Sequence, residues 1–215
     1  MDIREKIARR VAMELKDGDV VNLGIGIPTT VADVIPEGVH VVLQSENGIL
    51  GMEKLPNGAD ADKNVINAGG VHVSVRQGGS YFDSATSFSI IRGGHVDLTV
   101  LGALQVDETG SLASHIIPGK MVPGMGGAMD LVTGSKKVIV TMSHTAKDLS
   151  PKILKKINLP ATAINKVNMI VTELAVIEVT KNGLVLKEVA AETTVDEVIK
   201  LTEANLIVAD NIKTF

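Results

Sequence analysis

Apolar and polar positions along the chain change period several times, and each change marks an element. Ile3, Ile7, Val11 and Leu15 recur at four-residue intervals with charged residues opposite. This pattern predicts an amphipathic helix with Asp2 as N-cap and Gly18 as its stop. Asp19–Ile25 (DVVNLGI) is a nearly unbroken apolar run ending in glycines and predicts a buried strand; a short helix opened by Pro28 follows over Thr29–Ile35. Val39–Gln44 predicts another strand, with Ser45–Gly51 (SENGILG) as the loop behind it. Further β-branched runs lie at Val71–Val75, Val96–Leu101, Val138–Met142 and Asn168–Thr180. Helices are predicted at Ser84–Ile91, Ile153–Ile157 and Val195–Ala204, the last opened by a capping box of Thr194 and Glu197. Asn182-Gly183 between two β-rich runs signals a hairpin with a tight turn.

Strands alternate with helices, and the strands are apolar on both faces. The fold class expected is therefore α/β, with an open, largely parallel sheet flanked by helices. No internal repeat, low-complexity tract or linker divides the 215 residues, so 1–215 reads as a single domain.

Composition narrows the function. Without cysteine there is no disulfide, thiolate metal site or cysteine nucleophile. Net charge is −4 with both signs interspersed, and aromatic residues make up only 2% of the chain. Neither a basic surface nor a stacking platform for nucleic acid is expected. No run approaches the roughly 20 apolar residues of a membrane span. The charged N-terminus does not resemble a signal peptide, so a soluble cytoplasmic protein is expected.

Several familiar motifs fail on inspection. Gly24-Ile25-Gly26 follows a strand, but the third position of a dinucleotide fingerprint falls on Thr29, and Pro28 disturbs the turn. Gly119-Lys120 lacks the rest of a P-loop, the five histidines show no metal-ligand spacing, and no serine-hydrolase elbow is present. The segment Gly110–Gly134 carries six glycines and two prolines among Ile, Met and Val, unlike a polar linker. It is expected to be an ordered loop whose backbone amides approach a ligand.

One residue stands out. Ligands of open α/β sheets bind at the carboxyl ends of the strands, and Glu46 sits at such an end, framed by Ser45, Asn47 and Gly48 and followed by apolar Ile49 and Leu50. A solvent-facing turn has no need of those apolar flanks. Asn22, near the end of the preceding strand, is placed to line the same pocket or to close its own turn.

LQSENGILG (Leu43–Gly51) resembles the signature of the catalytic subunit of family I coenzyme A transferases. NLGIGIPT (Asn22–Thr29), INAGG (Ile66–Gly70), Ile91–Gly110, Ile117–Val140 and VTELAVIEV (Val171–Val179) fit the same family in order, nearly the whole chain. The likeness is strongest to β subunits of bacterial acetate, butyrate or acetoacetate CoA-transferases. It implies Glu46 as nucleophile and Gly127, last glycine of GMGG, as backbone oxyanion donor. It also implies Asn22, Gly24, Gly26, Ser45, Asn47 and Gly126 as substrate or CoA contacts. No metal and no tightly bound cofactor are implied; coenzyme A is a substrate, carried covalently in the intermediate. Nothing matches the family's α-subunit signature, so an α subunit is expected as partner, in an α2β2 assembly, with acyl-CoA and small carboxylic acids as substrates. The chain departs from relatives at Ser114-His115, Ser143-His144 and Gly70. The competing expectations are a metabolite-binding sensor, an acyl-CoA hydrolase and a purely structural subunit.

Overall fold

The computed structural model describes residues 2–55, 60–120 and 124–215. In chain order these form α1 (Ile3–Ala12), β1 (Val20–Leu23), a 3-10 helix (Ile27–Val34), β2 (Val42–Ser45), β3 (Ile49–Lys54), β4 (Val73–Tyr81), α2 (Ser84–Arg92), β5 (Leu98–Gly102), β6 (Gln105–Asp107) and β7 (Leu112–Ala113). Then follow α3 (Ala128–Gly134), β8 (Lys137–Thr141), β9 (Ile153–Leu154), β10 (Met169–Val171), β11 (Ala175–Thr180), β12 (Gly183–Val189), α4 (Val195–Lys200) and β13 (Leu206–Thr214). Ten strands make one sheet in the order β13-β12-β11-β10-β8-β5-β1-β2-β3-β4, and β7-β6-β9 make a small second one. The central run from β10 to β2 is parallel throughout. Antiparallel β3 and β4 extend it on one side, and β11 and β12 on the other. The expected open α/β sheet is present, with its parallel part at the centre and a further parallel pair, β12 and β13, at one edge.

The alternation of each strand explains the two cores. Val21, Leu98, Val100 and Ile139 pack with Ile7 and Val11 of α1 and Val31 of the 3-10 helix. Their sequence neighbours Val138 and Val140 point the other way, toward Ile91 of α2 and Leu131 of α3. A strand covered on both faces has no polar side to offer water, hence the unbroken apolar runs. Arg10 ties α1 to the sheet. Its buried guanidinium bonds Glu188 at 2.6 and 2.8 Å and Glu14 at 2.8 Å, and Lys137 reaches Glu14 at 2.6 Å.

Four expectations need correction. Ile153–Ile157 is not a helix: Ile153 and Leu154 are buried and pair in parallel with Val106 and Asp107. Five residues cannot nucleate a helix alone, so the distant strand wins. Ser45–Gly51 is not an extended loop. Only Glu46, Asn47 and Gly48 turn, and Ile49 already belongs to antiparallel β3. The run Asn168–Thr180 splits in two because the Thr172 hydroxyl accepts the amides of Leu174 and Ala175, folding the chain back. The first helix ends at Ala12 rather than at Gly18, Asp2 holds the N-cap position without a side-chain cap bond, and Ile3 is half exposed. The capping box of α4 and the Asn182-Gly183 hairpin form as expected, Gly183 with φ +120°. Strands β6, β7 and β13 were not expected from the sequence. Of the glycine-rich segment Gly110–Gly134, residues 121–123 lie outside the described residues.

Candidate active site

Glu46 heads the turn between β2 and β3. The Gly48 amide donates to the Ser45 carbonyl at 3.0 Å, and the Phe82 amide donates to the Gly48 carbonyl at 3.0 Å. Gly48 has φ +118°, and a Cβ there would lie 2.0 Å from the Phe82 carbonyl oxygen. Only glycine fits. The glycine of SENG thus sets the turn, and the turn sets where the carboxylate goes.

Both neighbours of Glu46 brace that turn from the outside. The Ser45 hydroxyl accepts the Ala68 amide at 2.9 Å, and Asn47 Nδ2 donates to the Ile66 carbonyl at 2.7 Å. Ser45 and Asn47 therefore both bond the INAGG loop.

From the inside, Asn22 reaches the carboxylate. In β1 it pairs in register with Gln44 of β2, and its Nδ2 donates to Glu46 Oε2 at 3.2 Å. The half-buried carboxylate meets Gly127 on its other side. A Cβ on Gly127 would stand 3.1 Å from Glu46 Cγ, 3.3 Å from Oε1 and 3.4 Å from the Phe88 ring. Helices α2 and α3 bring this about: Asp83 caps α2 by accepting the Thr86 amide at 2.7 Å, and Arg92 at the end of α2 bonds Asp130 in α3 at 2.7 Å. The Arg92 guanidinium also lies 5.5 Å from the Phe88 ring centre. Glu46, Asn22 and Gly127 are distant in sequence and meet here.

The remaining glycines fall elsewhere. Gly24 lies against β5, where a Cβ would be 3.0 Å from Leu101 and 3.1 Å from the Val100 carbonyl, so its first task is packing. Gly26 (φ +93°) and Gly126 (φ +59°) adopt left-handed backbone with open space beside them. A surface cavity of about 540 Å³ adjoins Gly126, between Arg92, Met125 and Met129. Among the described residues, no group of three His, Asp or Glu side chains is arranged to hold a metal.

Sequence reasoning missed Gln44, Ser87 and Phe88. A glutamine closing the apolar run Val41-Val42-Leu43 was the available signal, because both faces of a central strand are buried. Ser87 and Phe88 gave none, since only the packing of α2 reveals them.

His144 and His115 are enclosed. His144 is fully buried, with Nδ1 2.9 Å from the Thr172 hydroxyl and Nε2 2.9 Å from that of Thr202. Thr202 donates its own proton to the Val198 carbonyl at 2.7 Å, so it accepts from Nε2–H and Nδ1 stays an acceptor. Burial, and then the nearby Lys152 charge, lower the His144 pKa to about 4.

The coenzyme A transferase family model matches residues 4–201. The chain is 56% identical over 213 residues to an acetate CoA-transferase subunit beta of Haemophilus influenzae, covering 99% of this chain and 95% of that protein. It is 54% identical to the acetate CoA-transferase subunit beta of Escherichia coli K12, covering 100% and 98%. An acyl-CoA transferase of Escherichia coli O157:H7, solved as a thioester complex with CoA, shares the fold at a TM-score of 0.79 and 24% identity, covering 100% of this chain and 43% of that one. Family model, relatives and fold agree with the sequence resemblance: the chain belongs to the coenzyme A transferase family.

Proposed function

We propose that this chain is the β subunit of a two-subunit CoA-transferase and that Glu46 carries the chemistry. The enzyme moves coenzyme A between a short-chain acyl-CoA or 3-oxoacyl-CoA and a free carboxylate of the acetate, butyrate or acetoacetate kind. The observation that carries this reading is the pairing of the Glu46 carboxylate, bonded to Asn22, with the bare backbone of Gly127, where a Cβ would already press on Glu46.

An acyl-CoA and a free acid are carboxyl derivatives joined by exchange, so neither water nor ATP is needed if a carboxylate accepts the acyl group first. Glu46 attacks the thioester carbonyl; the carbon–sulfur bond breaks and leaves a mixed anhydride and CoA thiolate. The thiolate then attacks the Glu46 carbonyl, releasing the first acid and leaving a glutamyl-CoA thioester. A second acid runs the two steps backwards. The Gly127 amide is the donor for the tetrahedral oxyanions, a role worth about 10²–10³ in rate for a single donor. Gly24, Gly26 and Gly126 belong to the coenzyme-binding surface in this reading, and Ser45 and Asn47 to its support. A carboxylate in bulk water is a poor nucleophile, and the α subunit, in an α2β2 assembly, encloses the half-exposed Glu46. A cytoplasmic location accompanies this role.

Steady-state kinetics of the αβ enzyme test the proposal. Varying acyl-CoA at several fixed acid concentrations should give parallel double-reciprocal lines, and turnover should require the acid. Intersecting lines would replace the covalent ping-pong route with a ternary complex, and equal turnover without acid would replace transfer with hydrolysis; reversible acyl-CoA binding without turnover would indicate a sensor.

A further inference from the structure

The hydrogen bonds behind Glu46 continue inward through side chains that never reach solvent. Gln44 is 1% exposed, Asn22 1% and Ser87 0%. Asn22 Nδ2 donates to Gln44 Oε1 at 2.6 Å, to the Gln44 carbonyl at 3.2 Å and to Glu46 Oε2 at 3.2 Å. Gln44 Nε2 in turn donates to the Ser87 hydroxyl at 3.0 Å.

The order of donors and acceptors in this array is determined. A main-chain carbonyl and a carboxylate only accept, so both require the nitrogen of Asn22 and not its oxygen. Asn22 Oδ1 accordingly has no partner among the described residues. With Asn22 donating, Gln44 must present Oε1 to it and Nε2 to Ser87. The shortest bond, at 2.6 Å, takes one of the two Asn22 protons. The other remains for the 3.2 Å pair, one of which is Glu46 Oε2. Without the Gln44 acceptor, the amide could swing both protons away from the carboxylate.

The two oxygens of Glu46 are thereby distinguished. Oε2 is tethered to Asn22, while Oε1 faces the bare backbone of Gly127, 3.3 Å from where a Cβ would be. We propose that Gln44 and Ser87 are positioning residues for Glu46: acting through Asn22, they tether one carboxylate oxygen so that the other is presented for attack beside Gly127. This rests on the reading of Glu46 as the nucleophile. The array links β2, β1 and α2, so the attacking oxygen is referenced to three elements of the core and not to the turn alone.

The test is a double-mutant cycle in the αβ enzyme with Gln44→Met, Ser87→Ala and the pair, measuring kcat, KM and melting temperature. Gln44→Met keeps the length of the side chain and removes its acceptor. It should lower kcat by about tenfold to a hundredfold, the scale of a misplaced reacting group, with KM for both substrates changed by less than about twofold. Ser87→Ala should lower kcat by about fivefold, the scale of one hydrogen bond. It should have no further effect once Gln44 is Met. Ser87→Thr, which retains the hydroxyl, should restore kcat. Ser87→Ala is a mild change within a helix and carries the test if Gln44→Met does not fold. Wild-type kcat in the folded variants, or two effects that simply multiply, would overturn the proposal. Glu46 adduct formation in the wild-type enzyme separates the two claims. If the adduct forms and the variants are unimpaired, the positioning array alone fails. If no adduct forms, the nucleophile reading beneath it fails.

Discussion

Glu46 and His144 both lie just past the carboxyl ends of parallel strands, β2 and β8, and both are gripped by polar side chains. His144 is closed on every side. Each ring nitrogen meets a threonine hydroxyl, and its backbone amide donates to Glu173 at 3.0 Å. Among the described residues Glu46 is gripped from one side only, by Asn22, and its other oxygen borders the bare Gly127 backbone at a half-buried position. A closed array has nothing left to offer a substrate and contributes stability; an array that ends in a directed, unspent acceptor is built for chemistry. Polarity and position alone do not separate the two residues. The completeness of their hydrogen bonding does.

Breaking the open array at its tip should have the largest effect. Glu46→Gln keeps the shape and removes the proposed nucleophile, so kcat of the αβ enzyme should fall by at least about 10⁴ with melting unchanged. Retention of wild-type turnover by the folded variant would sink the assignment.

The turn beneath is the next point to break. Gly48→Ala sets a Cβ 2.0 Å from the Phe82 carbonyl oxygen at φ +118°. The cost should be about 3 kcal/mol or more in denaturant unfolding, with activity lost alongside. A variant of wild-type stability would show that the turn is not braced against Phe82.

Gly127→Ala sharpens the contrast between chemistry and stability. The added methyl would stand 3.1–3.3 Å from Glu46 and 3.4 Å from Phe88, close enough to displace the carboxylate by tenths of an ångström without opening the core. Turnover should fall by about a hundredfold while unfolding free energy changes by less than about 1 kcal/mol. The reverse pattern would make Gly127 a packing residue.

His144 should respond to pH and not to substrate. Its pKa falls from 6.5 to about 4 on folding, so between those values the unfolded chain binds more protons than the native one. The stabilisation is complete above pH 6.5 and drains away as pH falls toward 4, by about 2–3 kcal/mol. Glu173, which accepts the His144 backbone amide, and the half-buried Lys152, whose pKa burial lowers, face the same cluster. His144→Gln should flatten this part of the stability profile and leave kcat near wild type at neutral pH. An unchanged acid slope would contradict the closed-cluster account.

Much of this architecture is legible in the order of the amino acids. Central strands show as unbroken apolar runs because both faces are covered, and α4 and the Asn182-Gly183 hairpin show because capping and turn chemistry are local. Glu46 stands out because a carboxylate among small residues, followed at once by apolar ones, does not suit a solvent turn. What stays hidden depends on distant partners. Ile153–Leu154 is a strand only because Val106 and Asp107 lie beside it. The bonds of Ser45 and Asn47 to the Ile66–Ala68 segment join residues 23 and 19 positions apart, a contact that local sequence does not reveal. Gln44 joins Asn22 through a cross-strand register that spacing along the chain does not reveal.

The central claim is that Glu46 carries coenzyme A. The most direct measurement is the intact mass of this chain, purified with its α subunit and mixed with acetoacetyl-CoA, followed by peptide mapping. The account predicts a gain of one coenzyme A minus one water, on the peptide holding Glu46, discharged when acetate is added. Turnover with no adduct, or an adduct on another residue, would contradict it.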